Sequence, residues 1–238
     1  MIGPALERAI LAIEALEGVD EPTDLLAATS NILSTYGYSA FVLSRLPRVG
    51  GNRQPEILLN GWPDGWMARY HEAEHFKIDP VANHCLRSET SLYWTEITEI
   101  RKKEAGAVTM VGEASEFGLL HGLCVPIHTA LGSGGLSIAG DKVGVEPGLK
   151  AMTSLLTFRV WQSLESGLTS ERAVSLSERE KDVLCWTAVG KTASEIGTIL
   201  SISEHTVAQH LKNVRAKLRT QNSAHSVVRA LQLKQISL

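Results

Sequence analysis

LSEREKDVLCWTAVGKTASEIGTILSISEHTVAQHLKNVRAKL, residues 176–218, carries a complete local grammar for three successive helices. Ser177 precedes a run containing Val183, Leu184 and Val189, and Gly190 closes it as glycine closes helices. Thr192-Ala-Ser-Glu195 is a capping box, in which hydroxyl and carboxylate satisfy each other's backbone N–H, and it opens a short helix to Leu200. The three-residue turn Ser201-Ile202-Ser203 leads into a third helix, Glu204 to Leu218. There Val207, Leu211, Val214 and Leu218 recur at helical spacing and form one apolar stripe. The other face carries His205, Gln209, Lys212, Asn213, Arg215 and Lys217. A buried stripe beneath a donor-rich face suits the major groove, because base edges and phosphates mostly accept hydrogen bonds. A surface helix rich in lysine and arginine by chance would share the face but not the ordered caps and turn.

Working outward, charge separates this segment from what precedes it. Residues 176–238 hold nine basic and five acidic side chains, net +4, whereas residues 1–175 hold fourteen and twenty-one, net −7. A small basic part behind a larger acidic one suggests a sensing module joined to a nucleic-acid binder. The bridge around Ser166 to Ser177 loses apolar periodicity and gains Gly167, Ser170 and Ser175, which predicts domains at 1–168 and 176–238 with a linker at 169–175. With 44% hydrophobic residues the chain can bury a core, and no apolar run reaches the ~18 residues of a membrane helix. Cys85, Cys124 and Cys185 are odd in number and far apart, so neither a disulfide framework nor a zinc cluster is indicated and a reducing cytoplasm fits. No membrane partner and no cofactor are expected.

The first 168 residues alternate helical and strand patterns. Ile2, Leu6, Ile10, Ile13 and Leu16 repeat at helical spacing, and Pro22-Thr-Asp24 opens a helix running to Gly37. Tyr38 to Leu46 and Gln54 to Leu59 read as strands around a turn at Pro47 and Gly50-Gly51-Asn52. Helices follow over Trp66 to Phe76, from Asp79-Pro80, and within Ile97 to Phe117. Gly122 to Ala130 and Gly135 to Ala139 form a late hairpin across Leu131-Gly-Ser-Gly134, and Glu146 to Leu168 is a long helix. The order argues for an α+β fold, an N-terminal α-β-α sandwich on a central antiparallel sheet, followed by an all-α four-helix helix-turn-helix domain.

Gly61-Trp62-Pro63-Asp64-Gly65-Trp66-x-x-x-Tyr70, then Asp79-Pro80 and Trp94, is the most informative stretch of this first domain. Trp66 and Tyr70 share a helix face with Trp62 just ahead. Three aromatics with donor tips and one carboxylate can wall an apolar pocket, and taken alone they also suit a packed core.

Leu176-Ser-Glu-Arg-Glu180, Val183-Leu184, Ala188-Val-Gly-Lys-Thr192, Glu195-Ile196, Thr206-Val207-x-x-His210 and Lys217-Leu218 resemble the helix-turn-helix signature of the LuxR family. The aromatic spacing before Asp79-Pro80, Gly118-x-x-x-Gly122-x-x-x-Pro126 and Ser137 are similar to its quorum-sensing branch, the N-acyl-homoserine-lactone receptors. The resemblance implies Thr192, Ser203 and Thr206 as phosphate contacts and Gln209 and Lys212 as base readers. Ala208 stands where family members often place a longer side chain, which leaves an apolar contact with a thymine methyl. His210 is a phosphate contact or a packed residue, and Arg215 and Lys217 complete the donor face.

For the ligand, the resemblance implies Trp66 Nε1 on the lactone carbonyl, Tyr70 hydroxyl on the acyl carbonyl, Asp79 on the amide N–H and Trp94 against the lactone ring, with Ser137 a second donor. Trp62 replaces a position that is often Tyr. Val42, Ser44 and Leu46 share a strand face and, with Leu58, Ala82, Cys124 and Gly135, are expected around the acyl tail. The function implied is a cytoplasmic regulator that binds an N-acyl-homoserine lactone, forms a homodimer through the long helix, occupies a pseudo-palindromic double-stranded promoter site and engages RNA polymerase. Two alternatives are a ligand-independent regulator of the same fold and a lactone or ester hydrolase using Cys124 with His121 or His128. The hydrolase has no GxSxG elbow to support it.

Overall fold

The structure, a computed structural model, describes residues 4–47, 54–96, 105–129, 132–140, 148–170 and 175–237. The chain divides into two units, Met1–Gly167 and Leu168–Leu238. The expected turn at Gly50-Gly51-Asn52, the start of the Ile97 to Phe117 segment, Leu131, Glu146 and residues 171–174 of the linker lie outside the described residues.

The first unit is a three-layer sandwich. Helices α1 (Pro4–Glu14) and α2 (Pro22–Ser34) precede strands β1 (Ala40–Leu46) and β2 (Glu56–Asn60). Then come α3 (Asp64–Glu72), a 3-10 turn (His75–Lys77), α4 (Pro80–Arg87), β3 (Leu92–Tyr93) and α5 (Ala105–Ser115). Strands β4 (His121–Thr129) and β5 (Gly132–Gly140) and helix α6 (Leu149–Ser170) complete it. The sheet is antiparallel in the order β2-β1-β5-β4-β3.

Strand alternation assigns each face of the sheet its own layer. Phe41, Leu43, Leu123, Val125, Leu136 and Ile138 pack into one core with Leu25 and Leu33 of α2 and Met152, Leu156 and Trp161 of α6. On the opposite face Ala40 and Ala139 meet Trp66 and Tyr70 of α3 and Met110 and Ala114 of α5. The amphipathic stripe expected for α1 is only partly engaged: Leu16, just past the helix, is buried, whereas Ile10 is exposed.

Three expectations need correction. The helix expected over Trp66 to Phe76 breaks after Glu72, where Glu74 adopts φ +52° and a 3-10 turn turns His75 inward. The late hairpin pairs down to Thr129 opposite Gly132, so the glycines expected in the turn from residue 132 onward lie on the strand. Their lack of side chains serves packing here: a Cβ on Gly134 would sit 2.5 Å from the Trp161 ring. Finally, α6 continues to Ser170, past Leu168 where the sequence ends it.

The second unit is all α: α7 (Glu178–Ala188), α8 (Ala193–Leu200), α9 (Glu204–Leu218) and α10 (Ser223–Gln232). Both Ser177 and Thr192 form reciprocal capping boxes, with Glu180 and Glu195, and Ser203 and Asn222 cap the next two helices. Val189 falls outside α7, as its exposed C-cap, instead of joining the apolar run. Val183, Ile196 and Val207 hold α7, α8 and α9 together, and Leu184, Val214, Leu218 and Ala230 pack α10 against α7 and α9.

Candidate functional site

Trp62, Trp66, Tyr70, Asp79, Trp94 and Ser137 line a single cavity of about 210 Å³. Helix α3 presents Trp66 and Tyr70, 1% and 5% exposed, with ring centroids 5.9 Å apart, and Trp62 closes the group at 6.2 and 6.0 Å from them. His75 stacks against Trp66 at 5.7 Å and 25°. Its Nε2 lies 3.0 Å from Glu113 Oε2, which ties the aromatic wall to α5. No signal in the sequence joined these two residues.

Asp79 is the N-cap of α4. Its Oδ1 accepts the Val81 N–H at 2.7 Å, and its Oδ2 accepts the Tyr70 hydroxyl at 2.8 Å. Burial pushes the Asp79 carboxyl above the usual carboxylate range, even though the Tyr70 hydroxyl, the Val81 and Ala82 N–H groups and His75 pull the other way. Burial, with the adjacent Asp79, likewise raises the Tyr70 phenol. Within this wall Trp62 Nε1, Trp66 Nε1 and Ser137 Oγ are buried and have no hydrogen-bond partner among the described residues.

A narrower arm of about 40 Å³ adjoins it, sharing Trp62, Tyr70, Asp79, Val81 and Ser137 with the larger cavity. Val42, Ser44, Leu46, Ala82 and Gly135 line it, as the strand alternation anticipates. Leu58 does not. The pairing of β1 with β2 passes from Leu43–Leu59 to Ser44–Ile57, a bulge that skips Leu58, so Ile57 faces the arm and Leu58 packs on the opposite core. Cys124 is also absent from the lining. It is fully buried, its Sγ donates to Leu92 O at 3.3 Å, and it clusters with Leu46 and Cys85, so that Cys85 is the thiol on the arm. Pro55, Met67 and Val81 complete the wall and were not singled out from sequence.

In the second unit Thr192, Ser203, Ala208, Gln209 and Lys212 are exposed, and Thr206, His210 and Arg215 are half-buried. Thr192 uses its hydroxyl on Glu195 Oε2 at 2.9 Å, and its N–H and hydroxyl, with Lys191, hold the Glu195 carboxyl down to about 2. Ser203 Oγ caps Thr206 N–H at 3.0 Å, and Gln209 Nε2 donates to Asn213 Oδ1 at 3.0 Å across the exposed face. Lys217 is committed elsewhere: its Nζ donates to the buried Glu180 at 2.7 Å.

Two family models match the chain, one on either side of the division between Gly167 and Leu168. "Autoinducer binding domain" matches residues 21–162, and "Bacterial regulatory proteins, luxR family" matches residues 174–230. The chain belongs to the LuxR-type quorum-sensing regulators. This LuxR-type regulator is 30% identical over 234 residues to the quorum sensing-dependent transcriptional regulator RpaR of Rhodopseudomonas palustris, covering 97% of this chain and 96% of that one. It is 30% identical over 187 residues to the transcriptional activator LuxR of Aliivibrio fischeri, covering 75% and 74%. Among solved structures, Escherichia coli SdiA shares the fold at TM-score 0.73 and 24% identity, over 98% and 99% of the two chains. A second SdiA structure, in complex with octanoyl-rac-glycerol, gives TM-score 0.71 at 22% identity, over 98% and 97%. The relatives are transcriptional regulators, not enzymes, and the family takes a signal ligand, not a cofactor. Among the described residues of this regulator, no helix is long and apolar enough to cross a membrane.

Proposed function

We propose that this regulator binds an N-acyl-homoserine lactone in the aromatic cavity and, as a cytoplasmic homodimer, reads a pseudo-palindromic promoter site. The observation that carries the ligand reading is the set of unpartnered polar atoms, Trp62 Nε1, Trp66 Nε1 and Ser137 Oγ, lining one cavity with the Asp79 carboxylate. A purely packed core would leave each such group at a cost of about 1–3 kcal/mol. A lactone amide supplies what they lack: its carbonyls accept from Trp66 and Ser137, its N–H donates to Asp79, and Trp94 covers the ring. Tyr70 reaches the acyl carbonyl by turning its hydroxyl from Asp79. Trp62 contributes an indole N–H where a Tyr would contribute a hydroxyl.

Leu155 and Phe158, three residues apart on α6 and each 51% exposed, support α6 as the dimer element. A two-fold dimer sets its half-sites about one helical turn apart, roughly 10 bp, or a multiple of that. Gln209 and Lys212 read bases and Ala208 meets a thymine methyl. Thr206, His210, Arg215 and the capped starts of α8 and α9 at Thr192 and Ser203 face phosphates, and RNA polymerase is the downstream partner.

The test is retention of labelled acyl-homoserine lactones of several chain lengths by the full chain and by Trp66→Phe, which keeps a ring and removes the donor. Retention by wild type and its loss in the variant support the reading. No retention by folded wild type overturns it, and equal retention by both overturns the pose.

A further inference from the structure

Beside the cavity of about 210 Å³, and sharing Trp62, Tyr70, Asp79, Val81 and Ser137 with it, lies the arm of about 40 Å³. At roughly 10–15 Å³ per water-sized group, the arm has room for about three or four such groups, the scale of a short run of methylenes. Its boundaries are not soft. One wall is sheet backbone, where β1 is hydrogen-bonded to both β2 and β5 and cannot recede without breaking two ladders. Helix α4 rests directly on the sheet beyond, since a Cβ on Gly135 would lie 2.6 Å from Cys85 Sγ. Leu46 and Cys85 of its wall are backed by Cys124 in one packed cluster, 7%, 3% and 0% exposed. The bulge adds Ile57 where an unbroken ladder would not.

Resting on the lactone reading above, we infer that the cognate signal carries a compact acyl group, three or four carbons beyond its carbonyl, straight or branched. Seating a long straight chain or an aryl-acyl group in the arm requires displacing packed side chains, and overfilling a close-packed wall is unfavourable. Met67 is the side chain best able to yield. It lies on α3 next to Trp66, lines the arm and not the larger cavity, and is half-buried and unbranched. It is therefore a specificity-determining residue.

The full chain is expressed with an equimolar mixture of butanoyl-, 3-methylbutanoyl-, octanoyl-, dodecanoyl- and cinnamoyl-homoserine lactone, and the retained lactone is identified by mass spectrometry. Dissociation constants for each then come from ligand-dependent thermal shifts. The expected result is retention of a short lactone, with octanoyl and dodecanoyl forms at least tenfold weaker. Met67→Ala shrinks or inverts that ratio, and Ile57→Ala serves as a second widening variant should the first not fold. Preferential retention of an octanoyl, dodecanoyl or cinnamoyl lactone by wild type overturns this inference and leaves the lactone reading standing. Retention of none by folded protein overturns both. A wild-type ratio in the widened variants overturns the wall assignment.

Discussion

Tyr70 and Asp79, which line both the larger cavity and the narrow arm, are hydrogen-bonded to one another, hydroxyl to Oδ2 at 2.8 Å. Each thereby satisfies the other, so the amide of the proposed ligand would insert into an existing bond. Asp79→Asn keeps the shape but replaces a pure acceptor with a donor-acceptor group facing the ligand N–H. Lactone affinity is expected to fall by about 1–3 kcal/mol, on the order of ten- to a hundredfold, in a titration against wild type. Tyr70→Phe is expected to be milder, because Asp79 keeps its Val81 partner.

Proton linkage gives an independent check on the same carboxylate. Asp79 is raised by burial, and accepting a ligand N–H favours its ionised form. Binding therefore releases a proton, and affinity is expected to fall as pH drops through the raised native pKa, by up to about tenfold per pH unit. The unliganded protein behaves oppositely: ionised Asp79 costs stability above that pKa, and the cost fades on acidification. Dissociation constants and melting temperatures measured against pH, with Asp79→Asn flattening both trends, test the pair of signs.

Gly122 is pinned beneath Trp94. A Cβ there would collide with the indole and lie 2.5 Å from Ile138 O. Gly122→Ala is expected to destabilise the first unit by about 1–3 kcal/mol and to weaken lactone retention by moving Trp94. Thermal unfolding alongside retention reads both, and unchanged retention would separate Trp94 from the ligand.

In the second unit Glu180 caps Ser177 N–H and receives Lys217, both at 2.7 Å. Burial alone would push this carboxyl up, but Lys217 and Ser177 prevail and hold it below the usual range. Its stabilisation is thus present at neutral pH and lost as pH falls through that depressed native value. Glu180→Gln is expected to cost about 1–2 kcal/mol, since Lys217 is partly solvated. The urea midpoint of helical circular dichroism measures it, and a neutral result would deny the cap its role.

Leu155→Glu combined with Phe158→Glu places charge on the exposed face of α6. Sedimentation of the liganded protein is expected to show monomer where wild type is dimeric. A dimer that survives both changes moves the interface off this helix.

The helix-turn-helix unit was legible almost residue by residue because its determinants are local: caps three residues apart and apolar positions one turn apart. The aromatic wall was legible for the same reason, Trp66 and Tyr70 being one turn apart on α3. What escaped sequence reading depends on distant partners. The skipped Leu58 follows from how β2 registers on β1, and the ion pair of Lys217 with Glu180 spans 37 residues. The exchange of Cys85 for Cys124 likewise arises only when α4 lies on the sheet.

Because alternate residues of β1 and β5 face opposite layers, the packing positions of this sheet and those that line the cavity are separate sets. Odd-numbered Phe41 and Leu43 anchor the scaffold, while even-numbered Val42 and Ser44 border the arm proposed for the signal. A lineage could therefore drift toward a new chemical dialect by altering one set while the other keeps the receptor folded.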